Sequence, residues 1–143
     1  MAVDQLRISN KIAFIREQIT SIADLLAKNS KESILSDPWL IKGIKYALQT
    51  SIEAMIDIAY HLSAHQFNHA PAEARDAFRV LADGGIISHK DLIVYGAIIG
   101  FRNRIVHGYQ EVSADRVYEI AKNELGDFDK YIRQILMSGG RGC

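Results

Sequence analysis

Residues 38–62 read PWLIKGIKYALQTSIEAMIDIAYHL, and this stretch decides the fold class. Apolar residues recur in it at steps of three and four, which is the spacing of one face of an α-helix. Asp37 followed by Pro38 is a typical helix opening, because the carboxylate can cap free backbone N–H groups and proline fits the first helical position. We therefore predict a long helix over residues 38–64. Its apolar stripe consists of Ile41, Ile44, Leu48, Ile52, Met55, Ala59 and Leu62.

Helical periodicity also covers the sequence on both sides of this stretch. Apolar residues over 8–26 predict a long first helix, whose stripe could face either the core or a partner subunit. Residues 65–71 are predicted to form a loop, with a short helix over 71–84 behind Pro71. Ser113 predicts the N-cap of a last helix, which the apolar spacing extends to residue 135.

One further helix is predicted between Ser88 and Gly108. Ser88 and Asp91 have the spacing of a capping box, and Gly108 suits the left-handed position that ends a helix. There is no strand pattern, internal repeat or interdomain linker. We therefore predict an all-α, up-down bundle of four main helices plus one short helix. It should form a single domain over residues 1–137, followed by a flexible Gly-rich tail over 138–143.

The composition is that of an ordinary protein of the cytoplasm. A chain of 143 residues has the length of one domain, and it contains neither a long apolar run nor the apolar core of a signal peptide. The single cysteine, Cys143, cannot form a disulfide within the chain, which favours a reducing compartment. Seventeen basic and seventeen acidic residues balance, which excludes a protein that coats nucleic acid through net charge.

Polar residues suited to chemistry gather in residues 100–109, which read GFRNRIVHGY. On a helix, Asn103 and His107 lie about 40° apart, whereas Arg102 lies about 140° from His107 and must reach round. Tyr109 follows the predicted end of the helix. A histidine here can act as an acid or base near neutral pH, and arginine presents donors that match phosphate oxygens.

This combination suits cleavage of RNA without a metal ion. One group would take the proton of the 2′-OH, another would protonate the leaving 5′-oxygen, and Arg102 would stabilise charge on the phosphate. An ordinary helix end is the alternative interpretation, since basic residues such as Arg104 and His107 also complement the negative end of a helix dipole.

Three polar residues share one face of the second predicted helix at steps of four, namely Glu53, Asp57 and His61. Two of them, Asp57 and His61, could bind a metal ion, but no third or fourth ligand is evident. An acidic residue on this face could instead orient Arg102 or form a buried pair. A solvated face is the third interpretation.

The motif and its surroundings resemble a known family. The pattern of Arg102, four residues, His107, one residue and Tyr109 is similar to that of the HepT-like branch of the HEPN superfamily. Residues 101–109 are similar throughout to the typical sequence of the family at this motif. Further similar stretches are residues 52–59, Phe78, Leu81 and 85–87, and the predicted order of helices agrees as well.

This resemblance implies the toxin of a HEPN/MNT (type VII) toxin–antitoxin system. Such a toxin is a homodimeric, metal-independent endoribonuclease that acts on RNA, needs no cofactor and pairs with an MNT-type nucleotidyltransferase antitoxin. The resemblance gives catalytic roles to Arg102 and His107, with Asn103 supporting them, and makes Tyr109 the residue that an antitoxin can modify with AMP. Binding of the antitoxin without modification is the alternative route to neutralisation. A two-fold axis beside the motif would place two copies of the motif in one cleft. The alternative is a non-catalytic helical module associated with a nucleotidyltransferase.

Overall fold

The computed structural model describes residues 3–108 and 112–141, together with all side chains in these ranges up to residue 138. The α-helices are α1 (Gln5–Lys28), α2 (Lys31–Leu35), α3 (Pro38–His65), α4 (Ala74–Asp83), α5 (Leu92–His107), α6 (Ala114–Asn123) and α7 (Leu125–Arg141), and a 3₁₀ turn (His89–Asp91) precedes α5. The described ranges contain no strand, so the all-α prediction is confirmed.

Helix α3 lies at the centre of the fold and packs against α1, α2, α4, α5 and α6. Every residue of its predicted apolar stripe is buried. Helix α7 also reaches it, because the buried phenol of Tyr131 donates a 2.9 Å hydrogen bond to the carbonyl oxygen of Met55. In the second half of the helix, Glu53, Asp57 and Tyr60 remain partly exposed between these neighbours.

The predicted helix ends are confirmed at three positions. The Asp37 carboxylate accepts from the backbone N–H of Trp39 at 2.9 Å, and the Ser113 hydroxyl accepts from that of Arg116 at 3.1 Å. Gly108 adopts the left-handed conformation with φ at 65°, which a residue with a β-carbon rarely takes. The first apolar stripe faces the core rather than a partner, because Ile8, Ile12, Ile15 and Ile22 are all buried in the single chain.

The last predicted helix is in fact two helices. Glu124 breaks it with φ at −117° and ψ at 8°, and α7 begins at the next residue. Apolar spacing could not reveal this break, because the same period continues from Val117 through Phe128 to Ile135. The bend lets both α6 and α7 bury their apolar faces.

Three further boundaries differ from prediction. The five-residue α2 was not predicted, since it is too short to show a period. Helix α4 begins at Ala74 rather than Pro71. Residues 138–141, predicted as the start of a flexible tail, continue α7. Backbone hydrogen bonds do not require side chains, and each helical glycine costs only about 1 kcal/mol relative to alanine.

Within residues 3–108 and 112–141, no helix is both long and apolar enough to cross a membrane.

Candidate active site

Arg102 on α5 is fixed by an acidic residue on α3. Its Nε and Nη2 atoms donate to the same oxygen, Oε2 of Glu53, at 3.1 and 2.9 Å. Nη1 donates to Oδ1 of Asn103 at 3.3 Å. About a quarter of the Arg102 side chain remains exposed (28%), so the guanidinium is oriented without being sealed from solvent.

These residues line an open cleft of about 360 Å³ between α3, α4 and α5. The described residues that line it are Glu53, Ile56, Asp57, Tyr60, Glu73, Ala74, Arg75, Ile99, Arg102 and Asn103. Of the two acidic residues that could orient Arg102, Glu53 is the one that contacts it. Asp57 pairs with Lys11 of α1 at 3.0 Å instead. A cleft with an oriented guanidinium and amide beside it can receive a phosphate group.

His107 is the last residue of α5 and is exposed. It is not among the described residues that line the Arg102 cleft. On a regular helix it lies about 40° from Asn103 and about 140° from Arg102. The single chain thus brings Arg102, Asn103 and Glu53 together and places His107 beyond them at the helix end. Tyr109 lies outside the described residues.

Comparison with known proteins identifies the family. The family model described as "Ribonuclease HepT-like" matches residues 15–135. The chain belongs to the HepT-like ribonuclease family. Over 125 residues it is 34% identical to the mRNA nuclease HepT of Shewanella oneidensis. This alignment covers 87% of this chain and 92% of that protein. The predicted family and ribonuclease class are confirmed.

Solved structures of similar proteins support this membership. The tri-AMPylated HEPN toxin of Shewanella oneidensis, in complex with its MNT antitoxin, superimposes with a TM-score of 0.82 at 33% identity, covering 92% of this chain and 97% of that one. A toxin–antitoxin structure with AMP-PNP has a TM-score of 0.79 at 32% identity, covering 90% and 97%. YutE from Bacillus subtilis is only 15% identical and shows the fold alone, with a TM-score of 0.79 over 95% of this chain and 90% of that one. The predicted HEPN fold is confirmed.

His61 of this HepT-like ribonuclease belongs to the packing of α1, not to the Arg102 cleft. Its Nε2 accepts a 2.8 Å hydrogen bond from the backbone N–H of Asp4, the N-cap of α1. Burial lowers the pKa of His61, and nearby His65 lowers it further. Because Asp57 pairs with Lys11 instead, the two proposed metal ligands have different partners. Among the described residues, no three His, Cys, Asp or Glu side chains form a group that could hold a metal ion.

His65, predicted as the first residue of the 65–71 loop, belongs to a helix instead. It is the final residue of α3 and is half-buried, and its ring lies 4.4 Å from that of His61 between centroids. Its Nδ1 atom is buried without a hydrogen-bond partner among the described residues. By contrast, His69 and His89 are exposed, and they contact Asp76 and Asp83.

Sequence patterns do not single out Arg75, although it lines the same cleft as Arg102. Its Nη2 donates a 2.8 Å hydrogen bond to the carbonyl oxygen of Gly96 on α5. The one signal that points to this contact is the pair Gly96 and Gly100, because small residues one turn apart on a helix allow a close approach by a neighbour. Nothing in the sequence says which neighbour approaches.

Proposed function

We propose that this chain is the ribonuclease toxin of a HEPN/MNT toxin–antitoxin pair, and that it cleaves RNA without metal through Arg102 and His107. The observation that carries the assignment of residues is the contact between Glu53 and Arg102. It holds a guanidinium in an open cleft, beside Asn103 and on the helix that ends at His107. An arginine needed only to cap its helix would not require an acidic residue of another helix to orient it.

The chemistry follows from the groups that meet there. The Arg102 guanidinium would bind the non-bridging oxygens of the scissile phosphate and stabilise the charge that develops as the 2′-oxygen attacks. A neutral His107 would take the proton of the 2′-OH, and a protonated one would donate a proton to the leaving 5′-oxygen. The products of this route are a 2′,3′-cyclic phosphate and a 5′-hydroxyl. Asn103 would support Arg102 through its amide oxygen.

A homodimer would supply the second histidine. Each chain has one His107, and in the single chain it lies beyond the Arg102 cleft. A two-fold axis beside the end of α5 would bring two His107 and two Arg102 side chains into one shared cleft. One histidine would then act as the base and the other as the acid. The dimer would also concentrate positive charge that the neutral chain lacks.

An antitoxin of the MNT type would be the natural partner. Two structural relatives of this chain come from toxin–antitoxin structures, and one of them is a tri-AMPylated HEPN toxin in complex with an MNT antitoxin. By resemblance, the residue of this chain that would receive AMP is Tyr109. A phosphate anion placed there would compete with RNA for Arg102.

The test is incubation of the purified protein with total RNA in EDTA. We expect cleavage by the wild type and a loss of about 10²- to 10⁴-fold in rate for His107→Ala, which is the usual cost of losing a general acid or base. His89→Ala is the matched control, because His89 is exposed and pairs with Asp83 away from the cleft. Full activity in folded His107→Ala would contradict the assignment. Absence of any cleavage by the wild type would favour the non-catalytic module instead.

A further inference from the structure

Two arginines of different helices meet beside one glycine of α5. A β-carbon built on Gly100 would lie 3.3 Å from Nη2 of Arg75 and 3.7 Å from Nη1 of Arg104. Both guanidinium groups therefore border the same small patch of helix surface. Arg75 comes from α4, whereas Arg104 stands one turn after Gly100 on α5 itself.

The position of Arg75 is built into the helix packing. Its Nη2 atom is held at 2.8 Å by the carbonyl oxygen of Gly96, and a β-carbon on Gly96 would lie 3.6 Å from its Nε. The two glycines thus leave a shallow groove along α5 in which the guanidinium lies. A carbonyl oxygen fixes its place without neutralising its charge.

Neither arginine forms an ion pair with a carboxylate in the part of the chain that the structure describes. Of the carboxylates at the adjoining cleft, that of Glu53 is paired with Arg102 and that of Asp57 with Lys11. Among the described residues of the cleft, Glu73 is the remaining carboxylate, and the two arginines outnumber it. Two like charges held together in this way attract an anion.

Arg75 and Arg104 lie on the same side of α5 as His107. On a regular helix, Gly100 and His107 are seven residues apart, which is about 20° around the axis and about 10 Å along it. Arg75 also lines the Arg102 cleft, so the pair adjoins the proposed reaction site. The distance of about 10 Å along α5 between Gly100 and His107 matches the spacing of phosphates one or two nucleotides apart on a single strand.

We propose that Arg75 and Arg104 form a second phosphate-binding site, which holds the RNA backbone next to the scissile phosphate. The proposal rests on the proposed function, since it assumes that RNA enters the Arg102 cleft. The site would recognise the backbone phosphate and not the base, because both groups are guanidinium donors beside a bare helix surface. The second site would contribute to the affinity for RNA and to the position of the RNA backbone in the cleft. The bond-breaking step would be carried out by Arg102 and His107.

The experiment measures binding of the full-length chain to a fluorescein-labelled, 2′-O-methylated single-stranded RNA, which cannot be cut through its 2′-oxygen. We expect Arg75→Gln and Arg104→Gln each to raise Kd about 3- to 10-fold at low salt. Each should also make the slope of log K against log salt shallower by about 0.7, which is one phosphate contact on a single strand. Glu73→Gln should lower Kd, because it removes the opposing charge; Glu73 makes no side-chain cap that its loss would break.

Two comparisons separate phosphate binding from helix packing. Arg75→Lys keeps the positive charge without the guanidinium, so it should restore most of the affinity and the salt slope, whereas a purely structural role of the hydrogen bond to the Gly96 carbonyl would not follow the charge. Arg79→Gln is the matched control, because Arg79 is exposed one turn further along α4 and pairs with Asp76. If wild type binds the RNA and both glutamine variants behave like Arg79→Gln, the second site is refuted while the proposed function stands. If wild type neither binds nor cuts any RNA, the proposed function fails, and this site with it.

Discussion

Glu53 of α3 holds Arg102 of α5 through a single carboxylate oxygen, which accepts from Nε at 3.1 Å and from Nη2 at 2.9 Å. The same oxygen accepts from the side-chain amide of Gln49 at 3.3 Å. The contact joins two helices across the cleft wall, 49 residues apart in sequence. The orientation of the proposed catalytic arginine is therefore a property of helix packing.

Glu53→Gln tests this relationship. The amide removes the negative charge and can no longer accept two charge-assisted hydrogen bonds as strongly, so Arg102 should lose its fixed orientation. We expect kcat for RNA cleavage to fall roughly 10- to 100-fold, the cost of a misplaced group, with KM unchanged or lower because the cleft becomes more positive. Glu119→Gln is the control, since it breaks a Glu–Arg pair with Arg116 elsewhere. An equal kcat for both variants would show that Glu53 does not position Arg102 for catalysis.

The homodimer is tested by mass in solution. Light scattering should give about twice the chain mass of 16.0 kDa at micromolar concentration. If His107 of both chains enters one cleft, dilution below the dimer dissociation constant should reduce the specific activity. A monomer that cuts RNA at the full rate would contradict the shared cleft.

Tyr109 is tested by intact-mass spectrometry after co-expression with the nucleotidyltransferase. Wild type should gain the mass of one or more AMP groups, and Tyr109→Phe should gain none. Tyr118→Phe is the control, because the Tyr118 ring on α6 lies beside Lys31 of α2, and this change should leave the modification unchanged. Persistence of the added mass in Tyr109→Phe would assign the modification to another residue.

Asp91 should make the free energy of unfolding depend on pH in the acid range. The hydrogen bond from Lys130 at 2.9 Å lowers the pKa of this carboxylate from its ordinary value of 3.8, burial opposes that shift, and the 2.9 Å hydrogen bond from Gln134 assists it. A lowered folded pKa means that Asp91 contributes stability above about pH 4 and loses it as pH falls through the folded value.

Asp91→Asn provides the measurement. At pH 7 it should lower the free energy of unfolding by about 1–3 kcal/mol, because a buried, hydrogen-bonded carboxylate becomes neutral. Urea unfolding at decreasing pH should show the difference between the two proteins shrink below pH 4, where wild-type Asp91 also becomes protonated. A constant difference between pH 7 and pH 2.5 would refute the linkage.

Two glycines should respond in opposite directions to substitution by alanine. Gly43 is exposed within α3, and a β-carbon there would meet nothing within 4 Å, so Gly43→Ala should stabilise the protein by roughly 0.5–1 kcal/mol. At Gly84, the added β-carbon would overlap the ring of Phe67, and Gly84→Ala should destabilise by about 1–3 kcal/mol. Thermal unfolding of both variants checks the pair, and a stabilised Gly84→Ala would show that the ring moves away freely.

The sequence by itself determined the helical class and three of the helix ends, those at Asp37, Gly108 and Ser113. The apolar stripe from Ile41 to Leu62 has a period that only a helix can bury on one face, and caps such as Asp37 and Gly108 act through their own neighbours in the chain. Local chemistry of this kind is written in consecutive residues. The motif that carries Arg102 and His107 could be recognised for the same reason, because its residues lie close together in the sequence.

Only the tertiary structure decided which residues surround the motif. Glu53 and Asp57 stand one turn apart on α3 and looked equivalent in sequence, yet one meets Arg102 and the other meets Lys11. The Arg75 side chain of α4 reaches α5 beside Gly96 and Gly100, which leave room for it. Such pairings depend on how the helices are rotated and spaced, and that arrangement is set by the fit of the whole core rather than by any local pattern.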